Sequence, residues 1–157
     1  MTQTEKEDIA GVIAPPPLIY LAALVIALIL EWVARADAGL GSLGMWVGLA
    51  LIALSVIIAL LARRQFVKGG TSLRVEVPSQ AILSTGPFRY TRNPLYLSLT
   101  MLQIGIGLAA GMAWIIIWVV PVILVIRFGV IAREERYLER KFGEEYLRYK
   151  NRVRRWF

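Results

Sequence analysis

The chain has 157 residues, enough for one domain, and 57% of them are hydrophobic. Its mean hydropathy is +0.61, and its apolar residues fall in long runs, which excludes an ordinary soluble domain. The sequence contains no cysteine and no histidine. Disulfides and thiol nucleophiles are therefore excluded, and the commonest metal ligand and general base are missing. We predict no metal site.

Four apolar runs follow a polar leader, residues 1–17, which three prolines close. Each run is near the roughly 20 residues that a helix needs to cross a bilayer core. We expect membrane spans at about residues 18–34, 43–62, 94–110 and 112–131. The short turns after the first and third runs predict that the helices pack as two antiparallel hairpins.

Residues 132–157 have the pattern of a basic amphipathic helix, because apolar side chains recur at spacings of three and four. These side chains are Leu138, Phe142, Tyr146, Tyr149 and Val153. Gly143 favours a break, and Glu144 suits a new helix start after it. We therefore predict a single all-α integral membrane domain, residues 1–157, with four transmembrane helices and a C-terminal amphipathic cytoplasmic helix.

The net charge of +7 is concentrated in the link between the second and third runs and in the tail after the fourth. By the positive-inside rule, both segments face the cytoplasm, and four spans place both termini there. The basic residues lie beside membrane spans. We therefore interpret them as a topology signal that also attracts anionic membrane lipids, and we expect no nucleic-acid partner.

A polar segment, RYTRNPLYL (residues 89–97), stands at the start of the third run. Asn93 is a favoured helix N-cap and Pro94 is favoured at the first helical position. A helix start also offers unpaired amides to an anion. Further along the same helix face, Tyr96, Thr100 and Gln103 are expected either to hydrogen-bond to other helices or to line a ligand site.

The fourth run carries a charged residue, Arg127, near its cytoplasmic end. Glu134 follows two helical turns later, and Glu135 flanks it, so a continuous α-helix would place all three along one stripe. The alternative is a snorkelling arginine with a solvated carboxylate pair. We predict that the arginines and tyrosine of RYTRNPLYL converge with Arg127 and the glutamate pair on one cytoplasmic cavity.

The RYTRNPLYL segment and the polar segment that contains Glu134 and Glu135 together resemble the isoprenylcysteine carboxyl methyltransferase and phospholipid methyltransferase superfamily of small integral-membrane enzymes. The resemblance covers roughly residues 63–157. It is carried by Arg92-Asn93-Pro94-Leu95-Tyr96-Leu97-Ser98, then by Glu134-Glu135-Arg136-Tyr137-Leu138, and finally by Phe142-Gly143, Tyr146 and Tyr149. Two positions depart from the family pattern. Asn93 stands where histidine is frequent, which is a bacterial variant, and Ser98 stands where glycine is usual.

The resemblance implies S-adenosyl-L-methionine as methyl donor, bound at the cytoplasmic face of a bacterial inner membrane beneath the link and the C-terminal helix. It also implies a lipophilic, lipid or lipidated acceptor that arrives from the bilayer. The cofactor-binding candidates are Arg89, Arg92, Asn93, Pro94, Tyr96, Ser98, Glu134 and Glu135. The catalytic candidates are Arg127, Glu134 and Glu135.

Methyl transfer from a sulfonium needs alignment more than proton chemistry. Arg89, Arg92 and the helix start suit the donor's carboxylate. Either glutamate suits its hydroxyl or amino groups, and would be the candidate base if the acceptor is an amine. Tyr96 suits the adenine.

Two other functions are compatible with the sequence. Integral-membrane sterol reductases have a related Arg-His-Pro-x-Tyr segment, which keeps an NADPH-dependent reductase open. A non-enzymatic four-helix scaffold or transporter is the other alternative. The sequence leaves the acceptor and the oligomeric state open. The first two spans carry no signature, and we expect substrate choice to reside there.

Overall fold

The computed structural model describes residues 9–72 and 77–156. The first eight residues of the predicted leader, four residues of the predicted link and the last residue of the predicted C-terminal helix lie outside these ranges. Within the described residues the secondary structure is helical, apart from one isolated antiparallel bridge between Asp37 and Met112. The all-α prediction is confirmed for this part of the chain.

The helices follow one another along the described residues with few long connections. In chain order they are α1 (Pro16–Val33), α2 (Gly41–Lys68), a 3₁₀ turn (Gly86–Arg89), α3 (Pro94–Ala110), α4 (Ala113–Ile117), α5 (Val119–Val125), a π-helix (Ile126–Ile131), α6 (Ala132–Phe142) and α7 (Glu144–Arg152).

Three helical stretches are long and apolar enough to cross a membrane: α1, α2 and the continuous run Ala113–Phe142. Their outward side chains are strongly exposed, as shown by Leu21 at 55% and Trp32 at 85%. Apolar surface of this extent belongs in hydrocarbon rather than water, so the chain is an integral membrane protein. The predicted third span forms α3, whose 17 residues are fewer than those of the other three.

Helix α3 packs between the other spans, with α2 along one side and α1, α4 and α5 elsewhere. The predicted packing of the first two spans as a hairpin is wrong, because α1 packs on α3, α4 and α5 instead of on α2. The turn after α1 explains this arrangement, since it pairs with the turn between α3 and α4. The Ala38 amide donates to the Gly111 carbonyl at 2.9 Å, and the Ala113 amide donates to the Ala36 carbonyl at 2.8 Å.

Small residues allow α2 and α3 to approach until their backbones touch. A Cβ atom on Gly48 would lie 2.4 Å from the backbone nitrogen of Ala109 and 2.5 Å from the carbonyl oxygen of Gly105. Glycine is therefore required at position 48 by the closeness of the two helices, as is common for helix pairs in membranes.

The polar face of α3 is divided between two uses. The Tyr20 and Thr100 hydroxyls lie 2.7 Å apart and join α1 to α3. Gln103 Nε2 donates to the Ile115 carbonyl in α4 at 3.4 Å. Thr100 and Gln103 therefore bind other helices, whereas Tyr96, one or two turns earlier, lines a cavity.

The chain after the fourth apolar run breaks where the sequence predicts a break. Helix α6 ends at Phe142, and Gly143 has φ 52° and ψ −127°, a conformation that favours glycine. Helix α7 then begins at Glu144. The turn brings α7 back toward the 3₁₀ turn, where the Tyr149 hydroxyl donates to the Phe88 carbonyl at 2.8 Å.

Candidate functional site

A cavity of about 390 Å³ lies at the basic end of the helices, where the link, the start of α3 and helices α6 and α7 meet. This volume is in the usual range for a small-molecule site, about 300–1,000 Å³. Its polar lining includes Thr71, Ser72, Ser79, Arg92, Asn93, Tyr96, Ser98, Glu134, Glu135, Tyr137, Tyr146 and Tyr149. Its apolar lining includes Pro16, Pro17, Ala59, Ile82, Leu83, Leu95 and Leu99.

Glu135 joins two arginines on the polar side of the cavity. It is 6% exposed, although it carries a charge. Arg92 Nη2 lies 3.3 Å from one carboxylate oxygen. Arg155, from the tail after α7, donates Nε to that same oxygen at 3.0 Å and Nη2 to the other oxygen. Two guanidinium groups therefore neutralise one buried carboxylate, which is what a buried charge requires.

Arg92 retains hydrogen-bonding capacity after this contact. Its Nε and Nη1 atoms are buried and have no hydrogen-bond partner in the described part of the chain. Buried donors without partners are rare, because each one loses its water without compensation. Since Arg92 lines the cavity, the two donors are available to an acceptor there, and an anionic group such as a carboxylate would bind either of them strongly.

Glu134 differs from its neighbour in its partners. It accepts a hydrogen bond of 2.6 Å from the Tyr96 hydroxyl, and no cation is paired with it among the described residues. It therefore brings an uncompensated carboxylate to the cavity wall. Such a group can hold a cationic ligand atom or accept a proton.

Asn93 occupies the N-cap position of α3 and Pro94 the first helical position, as predicted. The Asn93 side chain makes no capping hydrogen bond to α3. Its Nδ2 donates instead to the Arg155 carbonyl at 2.9 Å. One turn on, the Ser98 hydroxyl donates to the Leu95 carbonyl at 2.7 Å, which satisfies it within the helix.

Two tyrosines of α7 complete the polar wall. Burial, with a smaller effect of the Glu135 charge, raises the pKa of Tyr146 to about 12. Burial likewise raises the pKa of Tyr149, and the nearby Tyr146 adds to the effect. Both hydroxyls therefore stay protonated at physiological pH and can donate hydrogen bonds. The pKa of Arg155 is raised chiefly by its hydrogen bonds to Glu135, which keeps it charged.

Two of the predicted site residues lie away from the cavity. Arg89 is exposed at the end of the 3₁₀ turn, and Arg127 is exposed with its guanidinium 5.6 Å from the centre of the Phe128 ring. Neither belongs to the cavity wall. The stripe expected to join Arg127 to Glu134 assumed a regular α-helix. The π-helix at Ile126–Ile131 places more residues in a turn and so rotates Arg127 away from the glutamates.

Sequence patterns do not identify Arg155, and the apolar periodicity places Tyr146 and Tyr149 on an apolar helix face. The tyrosines had a signal in their three-residue spacing within the resemblance. Arg155 had none, because it is one basic residue among several in the tail. Its role depends on the path of the chain after α7 and not on any local pattern.

The arrangement offers three chemical capacities within one cavity. Arg92 provides donors for an anion, Glu134 provides an acceptor for a cation or proton, and the apolar lining accepts a hydrophobic group. A ligand that carries both an anionic and a cationic centre would satisfy the polar wall.

Comparison with known proteins identifies relatives of this chain. The family model for phospholipid methyltransferases matches residues 43–145. An uncharacterized protein of Haemophilus influenzae is 50% identical over 64 residues, which is 40% of this chain and 98% of that protein. No solved structure matches.

The family match includes α2, the link, α3 and α6. It lends no support to a reductase or to a non-enzymatic scaffold. The first span and the tail with Arg155 lie outside it. The chain belongs to the phospholipid methyltransferase family, and is by that membership a membrane methyltransferase.

Proposed function

We propose that the protein is an S-adenosylmethionine-dependent methyltransferase that acts on a lipophilic acceptor, with the donor bound in the cavity at the basic end of the spans. The observation that carries this proposal is the pair of buried, unpartnered donors on Arg92. They lack a hydrogen-bond acceptor, and the donor's carboxylate would supply one.

The residues present fit this methyl donor. Arg92 would donate to its carboxylate from Nε or Nη1, since charge-assisted hydrogen bonds of this kind are the strong ones. Glu134 would face the donor's cationic part. The Tyr96 hydroxyl holds the Glu134 carboxylate in place. When bound, the donor supplies an electrophilic methyl group. The chain's own task is to align the donor and acceptor and to exclude water.

The two glutamates receive different roles in this proposal. Glu135 is paired with Arg92 and Arg155, so its role is to hold the cavity wall together. Glu134 is the group available to take a proton, if the acceptor's nucleophile is an amine. If the nucleophile is a carboxylate, no base is needed. Arg89 and Arg127 are left out of the proposed site.

The apolar lining supports a lipophilic acceptor. Pro16 and Pro17 from α1 and Ala59 from α2 line the cavity together with Leu95 and Leu99 of α3. Because α1 and α2 pack on α3 rather than on each other, an acceptor chain would reach the cavity between them from the bilayer. This gives the first two spans their part in substrate choice.

The surface charge supports a cytoplasmic location for the cavity. Exposed basic residues surround this end of the molecule: Arg63, Arg64, Lys68, Arg133, Arg136, Arg140, Lys141, Arg148, Arg152 and Arg154. Basic residues next to spans are retained on the cytoplasmic side of bacterial membranes. We therefore place both termini there, with the whole chain acting as one methyltransferase domain in the inner membrane.

The first test is calorimetric titration of the purified protein with S-adenosylmethionine and with its demethylated product, S-adenosylhomocysteine. We expect saturable binding by the wild type and weaker binding by Arg92→Ala. Arg89→Ala is the matched control, because Arg89 is exposed outside the cavity. A wild-type protein that binds neither compound at millimolar concentration would refute the proposal.

A further inference from the structure

The tail after α7 lies across the Arg-Asn-Pro turn and is fixed there by backbone contacts. The Arg92 amide donates to the Arg154 carbonyl at 3.0 Å. The Thr91 hydroxyl and Asn93 Nδ2 both donate to the Arg155 carbonyl, at 3.0 Å and 2.9 Å. Trp156 packs against the apolar cluster formed by α1, α5 and the π-helix. The position of Arg155 is thus set from several sides.

The two guanidinium groups on Glu135 bind it unequally. Arg155 binds both carboxylate oxygens, through Nε and Nη2, in the two-point geometry that arginine favours. Arg92 reaches one oxygen only, through Nη2 at 3.3 Å. The remaining Arg92 donors, Nε and Nη1, are buried and unpartnered within the described residues.

We infer that Arg155 is a positioning residue: by occupying both oxygens of Glu135, it keeps Arg92 from binding that carboxylate with two donors and so leaves Arg92 free to bind the carboxylate of the methyl donor. This inference rests on the proposed function. Without Arg155, Glu135 would be a buried carboxylate with Arg92 as its nearest cation. Arg92 would then turn a second donor toward Glu135 at the expense of the ligand.

The proposed role of Arg155 differs measurably from that of a residue that only stabilises the fold. A purely structural loss would weaken the binding of every ligand of the cavity to the same extent. Loss of the Arg92 orientation would weaken the binding only of ligands that carry the carboxylate. S-adenosylhomocysteine and its decarboxylated analogue differ in that group alone, so they form the matched pair of probes.

The experiment is calorimetric titration of both probes into wild-type, Arg155→Ala, Arg155→Lys and Arg154→Ala proteins in detergent, with thermal unfolding recorded alongside. Arg154→Ala is the control, because its exposed side chain is removed while its backbone carbonyl remains. We expect Arg155→Ala to lose about tenfold or more in affinity for S-adenosylhomocysteine and to keep wild-type affinity for the analogue. Arg155→Lys keeps the charge but not the two-point contact, and should show a smaller loss of the same selective kind.

A double variant tests whether Arg155 acts through Arg92. If it does, Arg92→Ala with Arg155→Ala should bind S-adenosylhomocysteine no more weakly than Arg92→Ala alone. Additive losses would overturn the inference, as would an equal loss for both probes or an unchanged affinity in Arg155→Ala. If Arg155→Ala does not fold, the same comparison in Arg155→Lys decides the matter. A wild type that binds neither probe would remove the proposed function and this inference together.

Discussion

The neighbouring carboxylates Glu134 and Glu135 provide a sharp test of the site, because the same isosteric change to glutamine should affect them differently. Side-chain exposure is 8% for Glu135, 10% for Arg92 and 30% for Arg155. Removing one member of a buried ion pair costs about 3–5 kcal/mol. Arg155 is partly exposed, so water screens its share of the interaction. We therefore expect Glu135→Gln to lose about 2–3 kcal/mol of stability.

Glu134→Gln should leave stability nearly unchanged and slow methyl transfer to an amine acceptor. The glutamine oxygen can still accept the Tyr96 hydrogen bond, and no ion pair is broken. The expected change in unfolding free energy is about 1 kcal/mol or less. If Glu134 takes a proton from the acceptor, its neutral replacement should slow methyl transfer about 100-fold or more.

The two variants can be compared by thermal unfolding in one detergent and by transfer of a labelled methyl group. A loss of about 2–3 kcal/mol corresponds to a fall in Tm of about 4–12 °C for a domain of this size. We expect that fall for Glu135→Gln and little change for Glu134→Gln. Equal Tm values for the two variants, or a normal rate of transfer to an amine acceptor in Glu134→Gln, would refute the division of roles.

Four further substitutions test the geometry. Tyr96→Phe removes the 2.6 Å hydrogen bond to Glu134 and should reduce the rate of methyl transfer about tenfold. Gly48→Leu would place side-chain atoms where two backbones meet, and should lower stability by about 1–3 kcal/mol or more, measured as Tm. Arg89→Ala and Arg127→Ala remove side chains outside the cavity, and should leave the affinity for S-adenosylhomocysteine within about twofold of wild type in calorimetric titration.

Each of these predictions has an outcome that would contradict it. Ala53→Leu is the control for Gly48→Leu, because Ala53 is on the exposed side of α2; equal Tm values in the two variants would argue against close packing of α2 on α3. Full activity in Tyr96→Phe would show that its hydroxyl does not orient Glu134. A large loss of affinity in Arg127→Ala would show that Arg127 belongs to the site, as its position in the sequence predicts.

Local features of the fold were predictable because local chemistry decides them. The Asn93-Pro94 pair marks the start of α3, and Gly143 marks the break between α6 and α7. The turn between α3 and α4 is short and uses Gly111 at φ 69°, so these helices pack as a hairpin. In each case a residue with a restricted or unusual backbone conformation stands at the boundary.

Features that depend on distant contacts were not predictable. The partner of α1 is decided by a turn that pairs with residues about 75 positions away, near Gly111. The orientation of Arg127 depends on the π-helix, which no local sequence pattern predicts. The contact of Arg155 with Glu135 depends on where the tail crosses the Arg-Asn-Pro turn. The residues that came together as expected, Arg92, Tyr96 and the glutamate pair, are those whose helices begin or run at the same end of the bundle.

The most direct test of the proposed methyltransferase activity is to incubate the protein, reconstituted in bacterial lipid, with methyl-labelled S-adenosylmethionine and to identify the labelled product by mass spectrometry. We expect a labelled, lipid-soluble product that forms with the wild type and with Arg127→Ala, and that is strongly reduced with Arg92→Ala. An unlabelled lipid fraction with the wild type, or equal labelling with Arg92→Ala, would contradict the proposal.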